Sequence, residues 1–128
     1  MTADQGKKMA QVIASALEFS GTSVSTGSEQ AVVFSGFDAL KNGAGWIDVR
    51  PFVRLTIDMV TGAAGATITV EGKTTLNSTA TRDLYTGSVA NGTTAPPVDK
   101  LDISGVAAIR ILENGTATQA QSFFGVAK

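Results

Sequence analysis

The alternation of apolar and polar residues between Pro51 and Gly72 is the feature that most constrains the fold of this chain. Successive side chains of a β-strand point to opposite faces of a sheet, so this alternation is typical of strands buried on one face. It predicts a strand over Phe52–Thr61, a glycine-bearing turn at residues 62–65 and a return strand over Ala66–Gly72. The residues expected to face inward are Val53, Leu55, Ile57, Met59, Ala66, Ile68 and Val70. The pattern therefore predicts a β-hairpin.

Other short apolar runs, separated by turn-forming residues, predict further strands. These runs cover residues 29–35, 46–49, 82–90, 98–103, 106–112 and 116–126. Asn114-Gly115 is the strongest two-residue hairpin signal, because a type I′ turn requires a positive φ at both positions. Short strands at this spacing indicate an all-β fold, an antiparallel β-sandwich of jelly-roll-like form.

The first 28 residues do not share the alternation and are expected to form an N-terminal arm or short helix before a sandwich domain over residues 29–128. Apolar residues recur there at helical spacing, at Met9, Val12, Ile13, Ala16 and Leu17. Residues 14–19 also fit a strand, so both interpretations stay open. The apolar stretch after Lys7-Lys8 is short and contains Gln11 and Ser15, so we expect no signal peptide and synthesis in a reducing cytoplasm.

The composition excludes several kinds of chemistry. The 128 residues include no histidine and no cysteine, so imidazole and thiolate catalysts, their metal sites and disulfides are excluded. The net charge of −1, with scattered basic residues, predicts no nucleic-acid binding. No apolar run approaches the roughly 20 residues of a membrane span, and no glycine-rich phosphate-binding motif occurs. We expect a non-enzymatic protein without cofactors, nucleic-acid partners or membrane contacts.

Two pairs of acidic residues are candidates for a catalytic site or a calcium site. Asp58 and Glu71 are candidates for the paired carboxylates of a glycosidase, but the outward position of Asp58 predicts solvated surface acids instead. Asp99 and Asp102 lack the dense oxygen-rich loop that calcium requires. Acids that flank strands are the expectation for both pairs.

Aromatic residues offer two further hypotheses. Trp46 and Tyr85 could stack on a sugar, but one Trp and one Tyr far apart in sequence are more often a core residue and a partly buried strand residue, which is the expectation here. Phe123 and Phe124 are adjacent, so a strand would direct them to opposite faces. One of them therefore lies on a covered outer surface or at an intersubunit contact, unless the strand is buried on both sides.

The succession of strand patterns resembles a β-sandwich that recurs in virion proteins of tailed bacteriophages. The segments that carry the resemblance are Trp46-Ile-Asp-Val49, Phe52–Val60, Ala66–Gly72, Ile103-Ser-Gly-Val106, Ile109-Arg-Ile111 and Thr116–Val126. Proteins of this kind decorate or cement capsids, or belong to neck, tail and fibre assemblies. The resemblance leaves about the first 45 residues unexplained.

The resemblance and the composition together predict a structural virion protein of the head decoration or cement type. Its partners would be the major capsid protein or other virion subunits, with self-association as a dimer or trimer. A tail, neck or fibre component and a carbohydrate-binding or adhesin module are the alternatives. The candidate assembly contacts lie in the arm, in a loop over residues 91–97 and in the last strand: Met9, Val12, Ile13, Leu17, Phe19, Pro96, Pro97 and Phe124.

Overall fold

The described residues form ten β-strands arranged in two sheets. A computed structural model describes residues 16–36, 45–60, 66–89, 94–116 and 119–128. The strands are β1 Leu17–Val24, β2 Gln30–Ala31, β3 Val33–Gly36, β4 Ile47–Asp48, β5 Arg54–Val60, β6 Ala66–Lys73, β7 Arg82–Val89, β8 Thr94–Asp102, β9 Ala108–Gly115 and β10 Ala120–Ala127. The predicted all-β class is confirmed.

The strand order identifies an antiparallel sandwich. The first sheet has the order β3-β1-β10-β5-β8, and the second has the order β2-β9-β6-β7 with β4 also paired to β9. Apolar side chains from both sheets form one core between them, which includes Phe34, Leu55, Ile68, Ile111 and Phe123. Removing these side chains from water is the main stabilising contribution to such a domain.

The predicted hairpin between β5 and β6 is wrong, although the alternation within each strand is correct. Val53, also predicted to face inward, is 45% exposed, because it lies before the first residue of β5 and Phe52 is buried there instead. Leu55, Ile57 and Met59 are buried on β5, and Ile68 and Val70 are buried on β6. However, β5 pairs with β10 and β8, whereas β6 pairs with β7 and β9. The two strands therefore lie in facing sheets. Alternation determines which side of a strand is buried and leaves its hydrogen-bonding neighbour open.

The predicted turn at Asn114-Gly115 is also wrong. Strand β9 continues through Gly115, which pairs with Ala66 of β6. The backbone N–H of Gly27 donates to the Gly115 carbonyl at 3.2 Å, so this glycine lies inside a hydrogen-bonded region. The next strand, β10, belongs to the first sheet. Residues after Gly115 consequently connect two sheets and do not close a hairpin.

The predicted boundary at residue 28 differs from the structure because β1 is a central strand of the first sheet. It pairs with β10 along its whole length and with β3 at Phe19–Thr22. Leu17 is 1% exposed and Phe19 is 5% exposed, so both belong to the core. Of the two interpretations of residues 14–19, the strand is correct for residues 17–19. The expected helix around Met9–Ile13 lies outside the described residues.

Two glycines make room for the aromatic rings that hold β1 in place. Phe19 pairs across the strands with Gly125 of β10, and Phe34 pairs with Gly21 of β1. The Phe19 and Phe34 rings meet edge to face with centroids 5.1 Å apart, and Phe123 lies 6.1 Å from Phe34. A Cβ on Gly21 would lie 2.8 Å from the Phe34 ring, and one on Gly125 would overlap the Phe19 ring.

A deletion series tests whether β1 is integral to the sandwich. Removing residues 1–15 leaves β1 with its core side chains Leu17 and Phe19 in place, so we expect a folded domain. Removing residues 1–20 also takes away Leu17 and Phe19, and losing each large buried side chain costs about 2–5 kcal/mol. Circular dichroism melts should show a folded shorter deletion and an unfolded longer one. Equal melting of the two proteins would contradict the placement of β1.

The glycine beneath Phe19 provides a second test. Gly125→Ala forces a methyl group into the Phe19 ring, and overpacking of this kind costs about 1–3 kcal/mol. Ser122→Ala, on the same strand, is the matched control and should change stability by less than about 0.5 kcal/mol. Urea unfolding of both variants measures the difference. A Gly125→Ala protein as stable as the control would show that Phe19 does not pack on this glycine.

Candidate assembly surface

The outer face of the first sheet carries four of the six exposed large apolar side chains among the described residues. Strand alternation directs Phe124 of β10, Val33 of β3 and Val60 of β5 away from the core, and Val24 extends the face along β1. Phe124 is 54% exposed and Val33 is 68% exposed. Small and polar side chains lie between these four, so the face is mixed in character, and Phe124 is its largest apolar projection.

Phe124 stands at the middle of this face between small or polar neighbours. Its cross-strand partners are Ser20 on β1 and Asp58 on β5. The next outward position in each direction along β10 is Ser122 or Val126. Because Ser20 and Ser122 are short, the phenyl ring projects above its surroundings.

An open groove lies on each side of the Phe124 ring. One groove has a volume of about 400 Å³ and is lined by Ser20, Thr22, Val33, Ser122 and parts of neighbouring residues. We call it the valine groove. The other has a volume of about 390 Å³ and contains two carboxylates, Glu18 and Asp58, beside Phe124 and Val126. We call it the acidic groove.

The charge at one end of the face is neutralised internally. Arg54 Nη1 lies 3.3 Å from Asp102 Oδ1. Hydrogen bonds from the Ser104 hydroxyl and backbone N–H hold the pKa of Asp102 below its usual value. A lowered pKa means that this exposed carboxylate favours the folded state at neutral pH, and the effect is lost as the pH falls through the folded-state pKa. No calcium site was expected at Asp102, and its Oδ1 accepts a hydrogen bond from the Ser104 backbone N–H at 2.9 Å in the turn after β8.

The structure brings only one of the predicted assembly contacts to the described surface, and that residue is Phe124. Leu17 and Phe19 are core residues, so the prediction that they contact neighbouring subunits is wrong. Their alternation with Glu18 and Ser20 places them on the inner face of β1. Met9, Val12 and Ile13 lie outside the described residues.

The predicted contact loop at residues 91–97 differs from the structure in its second half. Strand β8 begins at Thr94, and Thr94 and Ala95 pair with Val60 and Met59 of β5. Pro96 and Pro97 therefore lie within a strand, and the structure does not describe their side chains. Sequence reasoning also missed Val33, whose outward direction follows from its position beside the buried Phe34.

Trp46 is buried on the outer side of the second sheet. It is 6% exposed and is absent from the main apolar cluster. Lys73 Nζ lies 4.3 Å from the ring centroid, and Arg110 Cζ lies 4.8 Å from it. Cations over an aromatic face are attracted by the ring quadrupole. The expectation that Trp46 is buried is therefore confirmed. Lys73 and Arg110 pack over its ring and shield part of it from solvent.

Glu71 belongs to the same cluster, so the expectation that it is a solvated surface acid is wrong. Arg110 Nε donates to Glu71 Oε1 at 2.9 Å, and Arg110 Nη2 donates to the same oxygen. The Thr81 hydroxyl donates to Glu71 Oε2 at 3.4 Å. Asp58 lies on the other sheet and is exposed, as predicted. The two acids therefore do not form a catalytic pair.

A buried polar cluster lies where the segment after β1 meets β9 and β10. Glu113 is fully buried, and the Ser25 hydroxyl donates to its Oε1. Gln121 Nε2 donates to Ser25 Oγ at 3.1 Å, and Gln30 Nε2 lies 3.5 Å from Glu113 Oε2. These bonds fix the path of the chain between β1 and β2, because a buried polar group without partners would destabilise the fold.

Among residues 16–36, 45–60, 66–89, 94–116 and 119–128, no group of three or more acidic, histidine or cysteine side chains is placed to hold a metal ion. Within the same ranges, no helix is long and apolar enough to cross a membrane.

The fold is shared with known proteins of low sequence identity. The sequence matches no protein-family model and no curated protein. The globular domain of a zebrafish complement 1qA protein superimposes with a TM-score of 0.50 and 10% identity, covering 85% of this chain and 94% of that one. Eiger TNF from S. frugiperda gives a TM-score of 0.46 and 13% identity, covering 88% and 90%.

A viral chain has the same sandwich. A chain of the T13 IBDV viral particle gives a TM-score of 0.50 and 10% identity. The match covers 88% of this chain and 30% of the viral one, so this chain spans about a third of that protein's length. At such identities these likenesses show the fold alone. This chain is an antiparallel β-sandwich of the jelly-roll type.

Proposed function

We propose that this chain is a non-enzymatic structural virion protein that decorates or cements a bacteriophage capsid. The observation that carries the proposal is the outer face of the first sheet, where Phe124 projects between two grooves. A phenyl ring that is more than half exposed keeps apolar surface in contact with water, and contact with another protein surface would remove that unfavourable exposure. Cover by a neighbouring subunit is the role that this geometry supports.

The mechanism of such a protein is passive. A stable protein interface buries about 1,200–2,000 Å² in total, of which each partner supplies about half. The outer face of the five-stranded first sheet is the surface that would supply that share. Aromatic side chains at the centre of an interface contribute most to affinity. Repeated copies on a shell add their separate weak contacts, so the assembly is held more firmly than any one pair.

The partners proposed are the major capsid protein and further copies of this chain, as a dimer or trimer, in a particle made in the host cytoplasm. Two features support an assembly role over catalysis. The sequence lacks histidine and cysteine, and the acids Asp58 and Glu71 lie on different sheets. The sandwich found in the T13 IBDV viral particle shows that a virion can contain this fold.

A paired variant tests the assembly face. Phe124→Ser with Val33→Ser removes the two largest apolar projections, and losing an interface centre weakens binding by at least about tenfold. Tyr85→Ser, which alters a 39% exposed aromatic on the second sheet, is the matched control. Co-sedimentation with shells of a candidate major capsid protein measures binding, and sedimentation equilibrium measures self-association.

The outcomes separate the hypotheses. The proposal expects the wild type and Tyr85→Ser to pellet with shells and the paired variant to remain in solution, with all three folded. Equal pelleting of the paired variant would overturn the assembly face. Binding to purified tails but not to shells would assign the chain to a tail or neck.

Trp46 tests the carbohydrate-binding alternative. Because the ring is buried beneath Lys73 and Arg110, Trp46→Ala should destabilise the domain by about 3–5 kcal/mol. Thermal melts of the variant, compared with Tyr85→Ala, measure this loss. A stacking platform would behave differently, since Trp46→Ala would then stay stable and lose affinity on a glycan array. That second result would favour the carbohydrate-binding module.

A further inference from the structure

One carboxylate is buried at an end of the sandwich core without a cation beside it. Glu113 of β9 is fully buried, and it lies on the same inward face of the strand as Ile109 and Ile111. None of the ion pairs formed within the described residues includes Glu113. Taking an ionised carboxylate out of water is strongly unfavourable unless a positive charge or several hydrogen-bond donors compensate for it. The surroundings of Glu113 must therefore supply that compensation.

The described neighbours of Glu113 compensate for only part of its charge. The Ser25 hydroxyl donates to Glu113 Oε1. Gln30 Nε2 lies 3.5 Å from Glu113 Oε2, which is longer than an ordinary N–H···O hydrogen bond. The same nitrogen also donates to the Val24 carbonyl at 2.5 Å. Both donors belong to neutral side chains, so among the described residues the negative charge faces no opposite charge.

Two further oxygen atoms in this region are buried and have no hydrogen-bond partner among the described residues. Gln121 of β10 is 1% exposed, and its Nε2 donates to Ser25 Oγ at 3.1 Å, whereas its Oε1 is unpartnered. Ser23 pairs with Gln121 across β1 and β10, and its buried hydroxyl oxygen is the second unpartnered atom. Most buried polar atoms in native proteins have a partner. These oxygens therefore point to a ligand that several of them share.

Gly115 brings the backbone of β9 close to the same oxygens. It follows Glu113 by two residues, so it occupies the next inward position of the strand. A Cβ at this position would lie 2.7 Å from Ser25 Oγ and 3.4 Å from Gln121 Nε2. The glycine therefore lets polar groups from both sheets approach one another with no methyl group between them.

The chemistry of these groups selects the kind of ligand. Carboxylate, hydroxyl and amide oxygens are the ligands that hard cations prefer. A calcium ion takes six to eight oxygens, and with Glu113 as the one carboxylate of the cluster, a divalent ion would leave a buried positive charge. A water molecule would satisfy the oxygens and leave the negative charge uncompensated. A cation with a single charge satisfies both requirements.

We propose that Glu113, Gln121, Ser23 and Ser25 form a buried binding site for a monovalent alkali cation, sodium or potassium. The ion joins the two sheets, because β1 and β10 belong to the first sheet and β9 belongs to the second. The site faces the interior of the sandwich, so it is separate from the outer face that carries Phe124. It does not depend on the proposed virion function, since the ion binds within one copy of the chain.

Urea unfolding in different salts tests the site. A cation that binds only the folded chain stabilises it, so the urea midpoint should rise with the concentration of NaCl or KCl. Tetramethylammonium chloride at equal ionic strength is the control, because its methyl groups keep oxygen ligands away from the charge. We expect a higher midpoint in at least one alkali chloride than in the control salt, and the more effective salt identifies the preferred ion.

Glu113→Gln tests the role of the carboxylate. Glutamine has nearly the same shape but no charge, so the difference in midpoint between the alkali salt and the control salt should disappear. Glu71→Gln is the matched control, because Glu71 is also buried but is paired with Arg110. This variant should keep the full salt difference, whatever its own stability.

A crystal structure of the unmodified protein in the more effective salt locates the ion without any variant. Sodium in contact with Glu113 and Gln121 Oε1 is identified by contacts shorter than the roughly 2.7 Å of a hydrogen-bonded water, and potassium is identified by its anomalous scattering. A hydrogen-bonded water in this place would overturn the proposal. Equal midpoints in the alkali and control salts would also overturn it, as would a Glu113→Gln protein that keeps the full salt difference. All these measurements use the free protein, so failure of capsid binding leaves their interpretation unchanged.

Discussion

The pairing of β1 with β10 is the constraint on which the rest of the first sheet depends. It joins residues near the two ends of the chain through a continuous antiparallel register from Leu17↔Ala127 to Val24↔Ala120. The pairing is locked by side chains as well as by backbone hydrogen bonds, since Phe19 packs on Gly125 and meets Phe34. A slip of one residue would direct Phe19 to solvent and bury Glu18. The same register places Phe124 beside Ser20 and Asp58 and so creates both grooves.

The sequence identifies which face of each strand is buried, but it says much less about which strands pair with each other. The alternation of β5 and β6 correctly identifies Leu55, Ile57, Ile68 and Val70 as core residues. It suggests a hairpin because consecutive strands often pair. In a jelly-roll sandwich, consecutive strands also cross between sheets, and the same inward faces then meet across the core. Strand pairing depends on contacts distant in sequence, which a local pattern does not contain.

The polar and charged interior shows a second limit of sequence reasoning. Strand β9 buries Ile109, Ile111 and Glu113 on the same face, so alternation alone would place Glu113 in the core. Ending the predicted strand at Leu112 concealed this position, and its partner Ser25 is 88 residues away. Glu71 was also predicted to be solvated. The local pattern around Glu71 does not show its partner Arg110, which lies on β9. For the candidate surface, the adjacent phenylalanines were sufficient to predict one outward aromatic side chain, and the structure identifies it as Phe124.

One edge of the first sheet, strand β8, is protected against the addition of a further strand, so the face of the sheet is the better candidate for assembly. Strand β8 forms one edge, and an exposed edge could otherwise recruit a strand from another chain. Pro96 and Pro97 lie in β8 where its register with β5 shifts, between the pairs Met59↔Ala95 and Ile57↔Val98. Proline has no backbone N–H, and irregular register interrupts the spacing that an added strand would need. Pairing along this edge is therefore disfavoured. Apolar contact across the face remains open to a partner, because Phe124 and Val33 project beyond the small side chains around them.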